Sequence, residues 1–284
     1  EEARAYGIAR SLIERTQDRM GPFIADFLNS AISGDTLLAA STAVKDRTSI
    51  HKLIYELHLI STDILTTVVP TVCLELRVDD LDTRKSATLL LCDLFQSEHA
   101  ELADKFKKPF EELLARATDS EVDIRVKIVE FAGALIVNKP LLAARGAEVL
   151  VSRGADPDAR VRKTMVTAAC DAASNMLSET PLTLLKAIGA RCLDKRVDIR
   201  KEAATGLAQV FAAYVPQVWR DAVEQASSPA RATLPADMED KLMWIPDYVV
   251  QGYGHPELEL KLRAIQLLDH IVIYKSLDVQ ARAY

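Results

Sequence analysis

Glycine is sparse and never clustered: the ten glycines are scattered singly through 284 residues, so no phosphate-cradling loop can be assembled. Aromatic residues make up only 6% of the chain, and with alanine and leucine dominant that shortage favours helix packing on helix over a sheet. The four cysteines, Cys73, Cys92, Cys170 and Cys192, are spaced by 19, 78 and 22 residues, with no Cys-x-x-Cys and no histidine pair nearby. That pattern speaks against a zinc site or a disulfide frame, and the thiols read as reduced and packed in helix interfaces. No uninterrupted apolar stretch approaches a membrane span and no charged-then-apolar leader stands at Glu1, so a soluble, intracellular protein is expected. Positive charge is not in excess either: 35 Lys and Arg against 41 Asp and Glu leave −6. Direct binding of duplex nucleic acid through counterion release is therefore not expected of this segment.

Metalloprotease helices and nucleophile elbows are also missing. His51 and His58, seven apart on one helix face near Glu56, read as ordinary helix-surface residues. Acidic pairs such as Asp79 with Asp80 and Glu111 with Glu112 read as solvated helix ends. No catalytic, cofactor or metal constellation emerges, and no enzyme is expected.

What the chain does have is a 49% hydrophobic content, enough for a continuous core, and a self-similar unit. Arg84, Arg125, Arg162 and Arg200 recur at spacings of 41, 37 and 38 residues. Asp119, Asp156 and Asp194 stand six positions before the last three, and Ile124, Val161 and Ile199 immediately before them; the first copy has Val78 and Thr83 instead. After each arginine comes an apolar stripe at helical spacing, for example Ala203, Leu207, Val210, Phe211 and Tyr214. Ahead of each lies another apolar segment, Leu65 to Leu76, Leu102 to Ala117, Leu141 to Val151 and Pro181 to Leu193, each long enough for a helix of three or four turns.

The unit is thus helix A, a turn holding the aspartate, and helix B. Units that bury their apolar faces only against their neighbours make an all-α solenoid. Arg47, 37 residues before Arg84, opens an earlier helix B by the same reading, and Arg263 a later one. The extra length between Arg200 and Arg263 falls in 217–240, where Ser227, Ser228, Pro229 and Pro235 predict an irregular insertion. The expected organisation is an N-terminal helix pair and loop over 1–46, helix-pair repeats over 47–216, the insertion, and a further truncated repeat over 241–284. Within the first part, a helix over Arg10 to Ile32 is followed by a loop over Ser33 to Asp46. With no starting methionine and a helical end at Tyr284, the chain reads as an internal piece of something longer.

The Asp, five residues, Arg pattern resembles the HEAT repeat. In that family the aspartate and arginine form a ladder between adjacent units, and Pro70 sits where HEAT helices often kink. The chemistry suits the role, since a turn aspartate caps the next helix and accepts from a planar guanidinium. A partly exposed rung would contribute roughly 0.2–1 kcal/mol and serve register more than stability.

Helix B openings are basic. Arg153, Arg160, Arg162 and Lys163 form one cluster, and Arg191, Lys195, Arg196, Arg200 and Lys201, against Asp194, Asp198 and Glu202, form another. They read either as ladder arginines neutralised by turn aspartates or as one positive stripe for an acidic peptide or phosphorylated ligand.

The stretch RCLDKRVDIRKEAATGLAQVF at 191–211 is more specific. It is similar to a segment of the precocious-dissociation-of-sisters proteins, the HEAT-repeat regulators of cohesin. LIYEL at 53–57, DIRVKIVEFA at 123–132, DPDARVR at 156–162 and Trp244-Ile245 support it in the same order, from about Ile8 to Asp278. The resemblance implies a non-enzymatic, nuclear, chromatin-associated scaffold without cofactor. Its partners would be the cohesin kleisin subunit, the releasing factor Wapl, and cohesion-maintenance factors including the cohesin acetyltransferase. The partner contact is expected on the polar positions that HEAT packing does not require: Lys195, Arg196, Lys201, Gln209 and Tyr214. Alternatives are a HEAT adaptor for transport or assembly, and a nucleic-acid-associated solenoid.

Overall fold

The computed structural model describes residues 2–34, 47–97, 102–225 and 235–248, and these residues contain helices and turns but no strand. They fall into two compact units, Glu1–Ile128 and Val129–Tyr284.

In the first unit α1 (Glu2–Ser33) and α2 (Arg47–His58) form the opening pair. A 3-10 turn (Thr62–Thr66), α3 (Val68–Glu75) and α4 (Leu81–Gln96) form the next. Then come α5 (Leu102–Lys105), α6 (Lys107–Ala115) and a 3-10 turn (Arg116–Thr118) leading into α7 (Val122–Asn138), inside which the unit boundary falls. Like packs on like: α1 on α3 and α3 on α6 along the A side, α2 on α4 along the B side, with α3 also against α4. Leu28, Ile54, Leu65, Val68, Leu76, Leu91, Leu94 and Leu113 are buried between them, and Phe95 meets Phe110 edge-on at 5.2 Å.

The second unit continues from α7 through a 3-10 turn (Pro140–Leu142), α8 (Ala143–Arg153) and α9 (Ala159–Asn175). The pair α10 (Leu182–Arg191) and α11 (Val197–Gln225) follows, then α12 (Ala236–Leu242). Again α8 packs on α10 and α9 on α11. The expected stripe of α11 is the one buried: Ala203, Leu207 and Val210 are fully inaccessible and Phe211 nearly so. The α9–α11 approach needs Gly206, where an added Cβ would lie 2.2 Å from Cys170 Sγ. Likewise Gly133 lets α7 reach α9, since a Cβ there would come within 2.8 Å of the Ala168 Cβ.

Three details differ from the sequence reading. The A segments before Arg84, Arg125 and Arg162 are not single helices: each is broken into a 3-10 turn or a one-turn helix and a shorter α-helix. Proline favours the starts of α3 and α6, because Pro70 and Pro109 each occupy the third helical position, where a missing N–H costs nothing. Pro70 therefore lies in a first turn instead of at a mid-helix kink. Lastly, 217–225 is not irregular, since α11 runs through Pro216 to Gln225, and 236–240 belongs to α12. Ser33, expected to open the loop over Ser33 to Asp46, ends α1; residues 35–46 of that loop, 226–234 of the insertion with Ser227 and Ser228, and the helix expected after Arg263 lie outside the described residues.

Candidate partner-binding surface

The helix B openings of α4, α7, α9 and α11 each carry an arginine that closes its own turn. Nη1 of Arg84 donates to the carbonyls of Val78 (2.7 Å) and Asp79 (3.2 Å). Arg125 repeats this with Asp119 and Ser120, Arg162 with Asp156 and Pro157, and Arg200 with Asp194 and Lys195, all within 2.8–3.2 Å. In Arg84 and Arg162 the rest of the guanidinium reaches the following repeat. Arg84 Nε lies 3.3 Å from Asp119 Oδ2, and Arg162 grips Asp194 with two bonds, Nε to Oδ2 at 2.8 Å and Nη2 to Oδ1 at 2.9 Å.

A second arginine, three residues before each aspartate, completes the cluster: Arg116 to Asp119 at 3.4 Å, Arg153 to Asp156 at 3.2 Å and Arg191 to Asp194 at 3.1 Å. The sequence reading placed Arg153 and Arg191 only in the basic clusters and did not name Arg116, although the three recur at 37 and 38 residues. Each aspartate also accepts a backbone N–H two residues on, from Glu121, Asp158 and Arg196. That bond tightens the turn; the side-chain caps of α4 and α9 come from Asp80 and Asp158.

Of the six ladder residues read from the sequence five are buried, and Arg200 stays part-exposed. Asp119, Arg125, Asp156, Arg162 and Asp194 each keep 9% exposure or less. The surface-pair magnitude does not apply here: removing one partner of a buried pair strands a charge and costs about 3–5 kcal/mol. The Arg162 bonds hold the Asp194 carboxyl down at about 2.

The outward-facing set divides. Lys195, Arg196 and Gln209 are exposed and Lys201 is half-buried, all at or along α11. Arg196 is steadied by Asp198 through Nε to Oδ1 at 2.9 Å. Tyr214 does not join them. Its hydroxyl donates to the Ser174 carbonyl at 3.0 Å and receives the Leu177 N–H at 3.4 Å, so it ties α11 to the end of α9. Elsewhere in the basic clusters, Arg153, Arg162 and Arg191 are spent on the buried aspartates, while Arg160 meets Asp158 and Lys163 meets Asp198 at 3.7 and 3.9 Å on the surface.

His51 and His58 are not surface residues. His51 and His58 are 5% and 1% exposed, and His51 spans α2, α3 and α4 through Nε2 to Glu75 at 2.9 Å and Nδ1 to Ser86 at 2.6 Å. Glu56, which sequence spacing placed beside them, bonds the Tyr6 hydroxyl. Among the described residues no cluster of His, Cys, Asp and Glu has the arrangement of a metal site. The cysteines are free thiols, and burial pushes Cys73 and Cys192 up to about 12, and Cys170 upward as well, which keeps them protonated and unreactive at neutral pH. No described helix is long and apolar enough to cross a membrane.

The chain resembles proteins already characterised. Residues 1–284 match the model of the family described as sister chromatid cohesion protein PDS5. The human PDS5 homolog B is 31% identical over 280 residues, and the Xenopus laevis homolog B-B 29% over the same length. Both alignments cover 98% of this chain but only 18% of the relative, so the chain spans about a fifth of these proteins. Among solved structures, one of a Pds5–Scc1 complex superposes on 92% of this chain and 38% of its own with a TM-score of 0.71 at 16% identity, which shows a shared fold. The described helix pairs are therefore HEAT-type repeats, and the chain belongs to the PDS5 family of sister chromatid cohesion proteins.

Proposed function

We propose that this segment is a non-enzymatic docking platform within a nuclear, chromatin-associated cohesin regulator, and that it engages the kleisin subunit through the exposed opening of α11. The observation that carries the reading is the division of charge there. Asp194, Arg162 and Arg191 turn inward and are consumed by stacking, whereas Lys195 and Arg196 stand exposed one and two residues further on. Basic residues at a helix N-terminus oppose the macrodipole, so helix stability does not call for them. Docking an acidic segment does. Lys201 and Gln209 extend the same contact along about 12 Å of helix, at 1.5 Å per residue.

Family membership and the fold shared with a Pds5 bound to Scc1 support the kleisin as partner. Wapl and the cohesion-maintenance factors, the acetyltransferase among them, would then compete for or share the assembled platform. The test is crosslinking mass spectrometry of the chain with purified cohesin subunits, followed by kleisin pulldown with Arg196→Glu/Lys201→Glu. Crosslinks from Lys195 or Lys201 to the kleisin, and loss of pulldown in the variant, are expected. Kleisin crosslinks confined to other helices, with pulldown intact, would reject the site.

A further inference from the structure

The A side of the first unit carries a groove that the kleisin reading leaves unused. Helices α3, α5 and α6 enclose about 760 Å³, bounded by Pro70, Leu74, Phe106, Lys107, Lys108 and Pro109. It opens where the chain bends at Phe106 (φ −120°, ψ 52°) between α5 and α6. The floor is apolar, and Leu74, flanked in sequence by the buried Cys73 and Glu75, is 64% exposed in the last turn of α3. Packing within the unit does not use its side chain, and a bulky aliphatic group left in water beside two prolines is the kind of surface a partner covers.

The rim is positive. Lys107 and Lys108 are exposed and, among the described residues, form no ion pair. They stand in the first turn of α6, which has no acidic residue and no side-chain cap, so the helix end adds to their field. Of the two acids in the lining, Glu112 is already engaged. Glu112 holds Arg77 at 2.9 Å and takes the Cys73 thiol at 3.1 Å, and Lys105, the third lysine of the groove, is bound to Asp63 at 2.8 Å. Asp104 is the one other acid in the lining.

We infer that this groove docks a short linear segment of a partner protein in which a bulky apolar side chain stands within a few residues of an aspartate or glutamate. The apolar group covers Leu74 between Pro70 and Pro109, and the carboxylate sits against Lys107 and Lys108. The site shares no residue with the α11 cluster, so it stands or falls independently of the kleisin reading.

The probe is a random peptide library displayed on phage and panned against the full chain. Enriched peptides are then titrated by fluorescence polarisation against wild type, Leu74→Asp and Lys107→Glu/Lys108→Glu. Enriched sequences should pair an acidic with a bulky apolar residue, weaken about tenfold or more in each variant, and weaken further as salt rises. The variants should keep the wild-type melting temperature, because all three side chains are exposed. No enrichment, or peptides that bind all three proteins equally, would overturn the inference. So would concentration-dependent self-association abolished by Leu74→Asp, which makes a second copy the occupant. A duplex DNA probe lost with the lysines but indifferent to Leu74 would assign the rim to nucleic acid instead.

Discussion

In the turn before α11, Asp194 collects Arg191 from its own unit and Arg162 from the unit before, while Arg200 clasps the turn's carbonyls. In the turn before α4, position 78 is valine, yet Arg84 clasps the carbonyls of Val78 and Asp79 in the same way. The clasp survives without the aspartate because main-chain carbonyls accept whatever the side chain is. The carboxylate has a separate task, tying one helix pair to the next. Before α4 a different set spans neighbouring helices: Glu75 occupies the register of Arg116, Arg153 and Arg191, and receives His51 from α2. One arginine thus performs a local and an inter-unit function, and only the second depends on a partner side chain.

The largest effect that sharpens this contrast is Asp194→Ala. It strands two arginines in a buried site and should cost about 3–5 kcal/mol in urea denaturation. Asp158→Ala, which removes the cap of α9 and a surface contact to Arg160, should cost about 1 kcal/mol. Equal losses would erase the distinction between rung and cap. His51→Ala, the corresponding break before α4, should cost about 1–3 kcal/mol by removing the bonds His51 makes to Glu75 and Ser86, again read from the urea midpoint.

Acid provides a third discrimination. The Asp194 carboxyl is lowered from 3.8 to about 2, chiefly by its bonds from Arg162. A depressed carboxyl stabilises the fold above its unfolded value, and that contribution disappears as pH falls from 3.8 toward about 2. The stability gap between wild type and Asp194→Ala should therefore narrow over that interval, whereas the gap caused by a Leu207→Ala cavity should not. The smallest effect belongs to the surface: Arg196→Glu/Lys201→Glu should change stability by less than about 0.5 kcal/mol in the same assay.

The helix B openings were legible in the sequence because two signals coincide there, the returning arginine and the apolar stripe behind it. α2 begins at Arg47, where the weaker copy put it. The breaks in the A segments were less legible, since a proline at the third helical position and one at a kink look alike until the helix start is known. Burial of the rungs was hidden for another reason: arginine and aspartate are exposed by default, and only the stacking of a second unit covers them. His51 and Glu75 are 24 residues apart with no shared pattern, and Tyr214 fits an apolar stripe as well as it fits a bond to Ser174. Leu74, similarly, is one apolar residue in an apolar segment, and no periodicity reports its exposure.

The central claim is that charge at the opening of α11 is divided between inward stacking and outward docking. Titrating a purified kleisin segment into wild type and Arg196→Glu/Lys201→Glu, with urea midpoints measured on the same preparations, tests it directly. The account predicts at least about a tenfold loss of affinity, equivalent to 1.4 kcal/mol, at an unchanged midpoint. Undiminished affinity, or a midpoint that falls together with it, would contradict the division.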